Sequence, residues 1–211
     1  MNRSHVASRV LVTGPSGSGK TTLALRMARA WYASRRYIFD HDDQFGHQLG
    51  LPVQDTFAEC EAELAAGNVC VFNPERLYGR ETGQGFNAFC RFVFRHSEER
   101  HGVSLLIAEE LDSFVTLRGK IPWAFGDCLR LGRRREIDML LITQSPADVN
   151  PTIRNQLTHV AAFRFTDTLP LRWLTESPLL LPEKTLSTLP DHAYIWKIRG
   201  QETYQTIAAG K

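Results

Sequence analysis

The chain lacks a cysteine motif, a long apolar run and an excess of charge, and each absence closes off a class of protein. Its cysteines, Cys60, Cys70, Cys90 and Cys128, are scattered, with no CxxC pair and no cysteine–histidine ligand spacing. That excludes a zinc finger or a disulfide-stapled scaffold; isolated cysteines in a chain of this size act as small buried apolar residues, so free thiols in a reducing compartment are expected. No stretch approaches the roughly 20 apolar residues of a membrane helix. The first residues, MNRSHVASRV, carry no apolar signal segment, so a soluble intracellular protein without an integral membrane segment is expected. Internal repeats and low-complexity tracts are also missing. Basic residues number 25 against 23 acidic ones, a net charge of +2, which excludes a polycation that grips nucleic acid by bulk charge and leaves a local basic patch open.

What is present reads as one globular domain. The length of 211 residues, with 43% hydrophobic and 23% charged side chains, suits a single core. Short apolar runs without alternation, at 9–13, 37–39, 69–72, 104–108, 139–143 and 159–165, predict strands covered on both faces. Between them lie predicted helices at 20–33, 56–66, 85–101, 122–131 and 151–155. This alternation predicts a three-layer α/β fold around a mostly parallel sheet. Pro170, Pro178, Pro182 and Pro190 then break up the chain, and 193–198 with 203–207 predict a terminal β-hairpin at the sheet edge.

The most specific local pattern is Gly14-Pro15-Ser16-Gly17-Ser18-Gly19-Lys20-Thr21, set between a buried strand and a helix and continued by Thr22. It matches GxxxxGK[ST], the phosphate loop. Glycines let the backbone approach a ligand, and the loop amides with the helix N-terminus attract phosphate. Lys20 adds a positive charge to the β- and γ-phosphates, and Thr21 offers a hydroxyl to Mg²⁺. Guanine-specific proteins of this type carry NKxD, which is missing here. A kinase, a hydrolase and an ATP-driven motor stay open on the loop alone.

Three further places carry chemistry. Strand 104–108 runs into Glu109-Glu110, where the first acid can hold a metal-bound water and the second can deprotonate the attacking water; the alternative is a pair of solvated loop glutamates. Strand 139–143 ends in Gln144, which can sense the γ-phosphate or simply cap a turn before Pro146. Ahead of it stand Arg130 and the run Arg133-Arg134-Arg135, either a solvated charge run or a basic loop containing an arginine that reaches a neighbour's γ-phosphate. Residues 118–135 hold six basic side chains against one acid, Asp127.

The segments GPSGSGKT, LLIAEE and GRRREIDMLLITQSPADVNPTIRNQLTHVAAFRFTD together resemble the additional-strand ATPases of the HerA/FtsK superfamily. The likeness spans about 9–175 as the ATPase core, leaving 176–211 as an extension with the hairpin. It implies a RecA/FtsK-like fold, with ATP and Mg²⁺ held by Gly14 through Thr22 and Glu109, Glu110 as base, Gln144 as sensor, and Arg133 as a finger acting in trans. The family usually has Asp where Glu109 stands. Asp40, in the acidic run at 40–43, resembles the acid that ends the family's second strand. This alternative weighs against a nuclease-like metal site there. Trp31, Trp123, Trp173 and Trp196 read as core or interface anchors.

A core without added domains resembles the genome-packaging ATPases of tailless, membrane-containing double-stranded DNA viruses. That likeness implies a homo-oligomeric ring, pentamer or hexamer, moving double-stranded DNA. It also implies a capsid or membrane vertex protein as partner and a place in the host cytoplasm or at the packaging vertex of the virion. Arg118, Lys120, Arg130, Arg134 and Arg135 would then line the DNA path. A Zot-like phage export ATPase, a small phosphate-loop kinase and a nucleotide-switched assembly factor are the alternative readings.

Overall fold

A computed structural model of the chain describes residues 6–116, 119–176 and 178–208. In chain order its elements are β1 (Arg9–Thr13), α1 (Lys20–Ala30), β2 (Arg35–Phe39), α2 (Phe45–Leu49), α3 (Phe57–Gly67), β3 (Val69–Phe72), α4 (Glu75–Tyr78), α5 (Thr82–Glu99) and β4 (Ser104–Ala108). They continue with α6 (Trp123–Leu131), β5 (Ile137–Thr143), α7 (Pro151–Arg154), β6 (His159–Phe163), α8 (Thr168–Thr175), α9 (Glu183–Thr188), β7 (Tyr194–Ile198) and β8 (Gln205–Ile207). The sheet runs β3-β2-β4-β5-β1-β6-β7-β8. Its pairings are parallel from β3 through β6, and β7 and β8 are added antiparallel.

Every expected strand is present, and the parallel strands β1 to β6 are buried on both faces. Side chains alternate between them: Val10 and Val12 of β1, with Leu105 and Ile107 of β4, pack under Ala24, Leu25 and Ala28 of α1. Leu11, Leu106 and Ala108 face the other way, into a layer rich in phenylalanine from α5 and α6. All four cysteines are free and buried. Among the described residues no helix is long and apolar enough to cross a membrane.

Where boundaries differ from expectation, a polar side chain found a partner that local sequence does not reveal. β5 begins at Ile137 rather than 139 because Asp138, only 2% exposed, accepts from the Ser8 amide and the Trp31 indole. The same indole bond goes with an early end to α1, since Trp31 adopts an extended conformation. β2 begins at Arg35, whose guanidinium is buried on the carbonyls of Arg100 and His101. β6 stops at Phe163 where Arg164 turns out to Leu189 and Asp191. The hairpin does close one side of the sheet, with β7 paired to β6 and β8 outermost.

Candidate active site

The site gathers at the carboxyl ends of β1, β4 and β5. The turn after β1 closes with a hydrogen bond from the Ser18 amide to the Pro15 carbonyl at 3.2 Å. Gly19 has φ +100° where the chain enters α1, a conformation open to glycine. A Cβ on Gly14 would lie 2.5 Å from the Ser18 hydroxyl and 2.8 Å from Phe163 Cβ. The loop is therefore packed on β6 from behind. Lys20 starts α1 and is only 6% exposed. The Ser18 hydroxyl is buried without a hydrogen-bond partner in the protein, as expected of a loop shaped to receive an anion.

Thr21 donates its hydroxyl to Glu109 Oε1 at 2.8 Å. In the sheet, β5 lies between β1 and β4. Glu109 reaches across that strand. Burial pushes its carboxyl above the ordinary glutamate value; the Thr21 bond and Lys20 oppose this, while Asp40 and Glu110 add to it. A hydroxyl and a carboxylate side by side are hard oxygen donors that fit Mg²⁺, which binds through one or two such groups together with substrate phosphates. Among the described residues no group of three or more His, Cys, Asp or Glu is arranged to hold a metal ion by itself. Asp40 instead accepts from the amides of Gln44 and Gly46 and fixes the start of α2.

The register pairs Ala108 with Leu141, which sets Glu110 about level with the end of β5. Gln144 accordingly donates to Glu110 Oε1 at 2.7 Å. Glu110 has φ +50°, a left-handed conformation uncommon outside glycine, and its carboxylate is turned toward this partner. Asp112, given no role from sequence, accepts from the Thr143 hydroxyl and braces the ends of β4 and β5 together.

Other contributors were hidden because they come from the C-terminal segment. His192, itself at φ +59°, places Nδ1 3.0 Å from the Ser18 carbonyl of the loop. A cleft of about 640 Å³ extends from Lys20, Thr21 and Thr22 past Arg26 to Phe163 and Tyr194. Burial raises the Tyr194 phenol, partly opposed by the charge of Arg26. A proline-broken tail gives no local sign that its last strands return to this loop.

The basic residues do not gather with these groups. Arg133, Arg134 and Arg135 form a short 3₁₀ turn directly before β5, at the sheet end opposite the loop. There burial, with the nearby charge of Arg133 adding to it and Asp138 opposing it, lowers the pKa of Arg9. Arg135 bonds Glu98 at 2.6 Å and lies over the Phe94 ring, and Arg130 pairs with Asp127 at 2.8 Å. Lys120 is exposed ahead of α6. Arg118 lies outside the described residues.

Loop, crossed acid and intervening glutamine strand define a phosphate-loop nucleoside-triphosphatase fold of the additional-strand type. No protein-family profile and no curated protein matches the chain by sequence. Solved structures do match in fold. The genome-packaging NTPase B204 of Sulfolobus turreted icosahedral virus 2, solved with ATPγS, superposes with a TM-score of 0.77 at 17% identity, over 96% of this chain and 98% of that one. The DNA-packaging ATPase B204 of Sulfolobus turreted icosahedral virus gives 0.73 at 18% identity, over 97% and 98%. The cytoplasmic domain of the Type VII secretion ATPase EccC of Thermomonospora curvata gives 0.63 at 14% identity, over 95% of this chain and 25% of that one.

Proposed function

We propose that the chain is a Mg²⁺-dependent ATPase that drives double-stranded DNA into a viral capsid as one protomer of a homo-oligomeric ring. The observation that carries this reading is the Thr21–Glu109 bond across β5, with the Gln144–Glu110 contact beside it. Together they bring Thr21, Glu109, Glu110 and Gln144 side by side, which supports giving them the phosphate, metal, water and sensor roles. The full-length fold likeness to a packaging NTPase solved with ATPγS and AMPPCP supports the same reading.

Each side chain then has a task. The loop amides and Lys20 hold the β- and γ-phosphates. The Thr21 hydroxyl and, through a water, Glu109 would hold Mg²⁺, which supplies charge neutralisation at the phosphate oxygens. Glu110 takes a proton from the attacking water. Gln144 exchanges its bond to Glu110 for one to the water and γ-phosphate, so loss of that phosphate is felt at the end of β5. Arg133 stands at the far end of a seven-residue strand, about 20 Å from its own loop at ~3.3 Å per residue, so its service as a finger is to a neighbouring protomer.

In the ring, Arg118, Lys120, Arg130 and Arg134 offer charge to the DNA backbone without reading sequence. Arg135 contributes least, since Glu98 and Phe94 already engage it. A vertex protein of the capsid or its membrane supplies the destination, in the host cytoplasm or on the virion. A kinase lid would need the arginine turn over the phosphates, and its position before β5 counts against that reading. The test is ATP hydrolysis with and without long duplex DNA: stimulation by DNA supports the motor, and a phosphorylated small product would replace it with a kinase.

A further inference from the structure

Phosphate chemistry accounts for only one end of the main cleft. The cleft of about 640 Å³ begins at Lys20, Thr21 and Thr22 and continues to Tyr194 and Ile207 of the C-terminal hairpin. A second cleft of about 290 Å³ lies on the other side of the loop, along Pro15, Ser16 and Arg164. A triphosphate seated at Lys20 and Thr21 carries its nucleoside away from the reacting γ-phosphate. Only the larger cleft also takes in Thr22 and Arg26, further along α1, and its volume is in the range that encloses a ligand of nucleotide size.

The chemistry of that far end is unlike the loop. Its walls are the rings of Phe163 and Tyr194, whose centroids lie 5.4 Å apart, and the aliphatic surface of Ile207. Beyond the loop and its first helical turn, Arg26, Gln48 and Tyr194 bring polar side chains to the cleft lining. Two of these sit on long flexible stems, which accept donor and acceptor edges of different bases alike. Aromatic and aliphatic surface beside a guanidinium favours a flat π-system through stacking and cation–π attraction, and every nucleobase has such a face. The hairpin is also held in place: β7 pairs with β6, and His192, two residues before Tyr194, contacts the loop at Ser18.

We propose that the C-terminal hairpin supplies the nucleoside half of the site, with Tyr194 and Ile207 covering the base and Arg26 and Gln48 at its edges, so that base identity is read weakly and purine and pyrimidine triphosphates are all substrates. The inference rests on the phosphate-loop reading and adds a binding subsite to it.

Steady-state hydrolysis of ATP, GTP, CTP and UTP, with inorganic tripolyphosphate as a base-free competitor, tests it in wild type and in Tyr194→Ala, Tyr194→Phe, Ile207→Asp and Arg26→Ala. KM values for the wild type should agree within about tenfold across the four substrates, and Tyr194→Ala and Ile207→Asp should raise each by about tenfold, the size of a lost base stack. Tyr194→Phe, which keeps the ring and loses only the hydroxyl, should raise KM by less than Tyr194→Ala. Inhibition by tripolyphosphate should be unchanged throughout, which also shows that the variants are folded; Arg26 is exposed on α1, so its variant probes the subsite without touching the core. Unchanged KM in Tyr194→Ala, Ile207→Asp and Arg26→Ala overturns the subsite, and a preference above a hundredfold for one base overturns weak reading. Failure of the phosphate-loop reading itself looks different: Lys20→Ala would then leave tripolyphosphate inhibition intact.

Discussion

Thr21 and Glu109 are joined by a 2.8 Å hydrogen bond that passes over the end of β5. The family resembled by this sequence usually places aspartate at this position, and here the longer glutamate makes the crossing while buried to 9% exposure. Shortening it should break the contact. Glu109→Asp is expected to weaken Mg²⁺-dependent ATP binding by about tenfold, the scale of a charge-assisted hydrogen bond, measured by calorimetric titration with and without Mg²⁺. Equal affinities for variant and wild type would remove Glu109 from the metal side of the site.

The same carboxyl predicts a pH dependence. Its pKa is raised in the folded protein, chiefly by burial, so folding binds a proton more tightly than the unfolded chain does. Its contribution to stability is therefore full below the unfolded value of about 4.3 and is lost as pH rises through the folded value. Thermal melts of nucleotide-free protein should show wild type falling relative to Glu109→Gln as pH rises from about 4 toward neutrality. A difference that stays flat with pH contradicts the raised value.

Glu110 and Gln144 share one hydrogen bond at 2.7 Å, and their substitutions should separate binding from turnover. Glu110→Gln is expected to retain ATP affinity and lose about 10²- to 10⁴-fold in hydrolysis, the range for a positioned general base. Gln144→Ala should also keep affinity while slowing turnover. Retained hydrolysis in Glu110→Gln would leave the base role without a residue.

Arg133 sits at the end of the sheet opposite its own loop, so its loss should be repaired only between protomers. Arg133→Ala and Lys20→Ala proteins are each expected to fall by about 10³-fold or more. Mixing them should restore a measurable fraction of hydrolysis, because each mixed interface can pair an intact loop with an intact arginine. A mixture no more active than its components assigns Arg133 to the surface.

His192 ties the C-terminal segment to the loop at Ser18. His192→Ala should raise the KM for ATP by roughly two- to tenfold, the worth of one hydrogen bond. Asparagine keeps a side-chain donor and tolerates the left-handed backbone found there, so His192→Asn should recover part of the loss. If both variants behave as wild type, the contact does not hold the loop.

The phosphate loop, the acids at 109 and 110 and the glutamine at 144 were legible because each is written in contiguous residues whose local conformation follows from strand, turn and helix preferences. The cores of the strands were legible for the same reason: short apolar runs bounded by turns need no distant partner to be seen. Asp138, Arg35 and Trp31 blurred the boundaries, since a polar group enters a buried strand or leaves a helix only when another part of the chain satisfies it.

By itself, then, the sequence determined the alternation of elements and which polar residues stand at each strand end. Tertiary structure alone decided that β5 separates Thr21 from Glu109, that the arginine turn faces away from its own loop, and that His192 and Tyr194 return from a proline-broken tail to wall the cleft. The physical reason is that strand order is a choice among non-local pairings. Those pairings are settled by how apolar faces and buried polar groups match across the whole chain, and no short segment records that match.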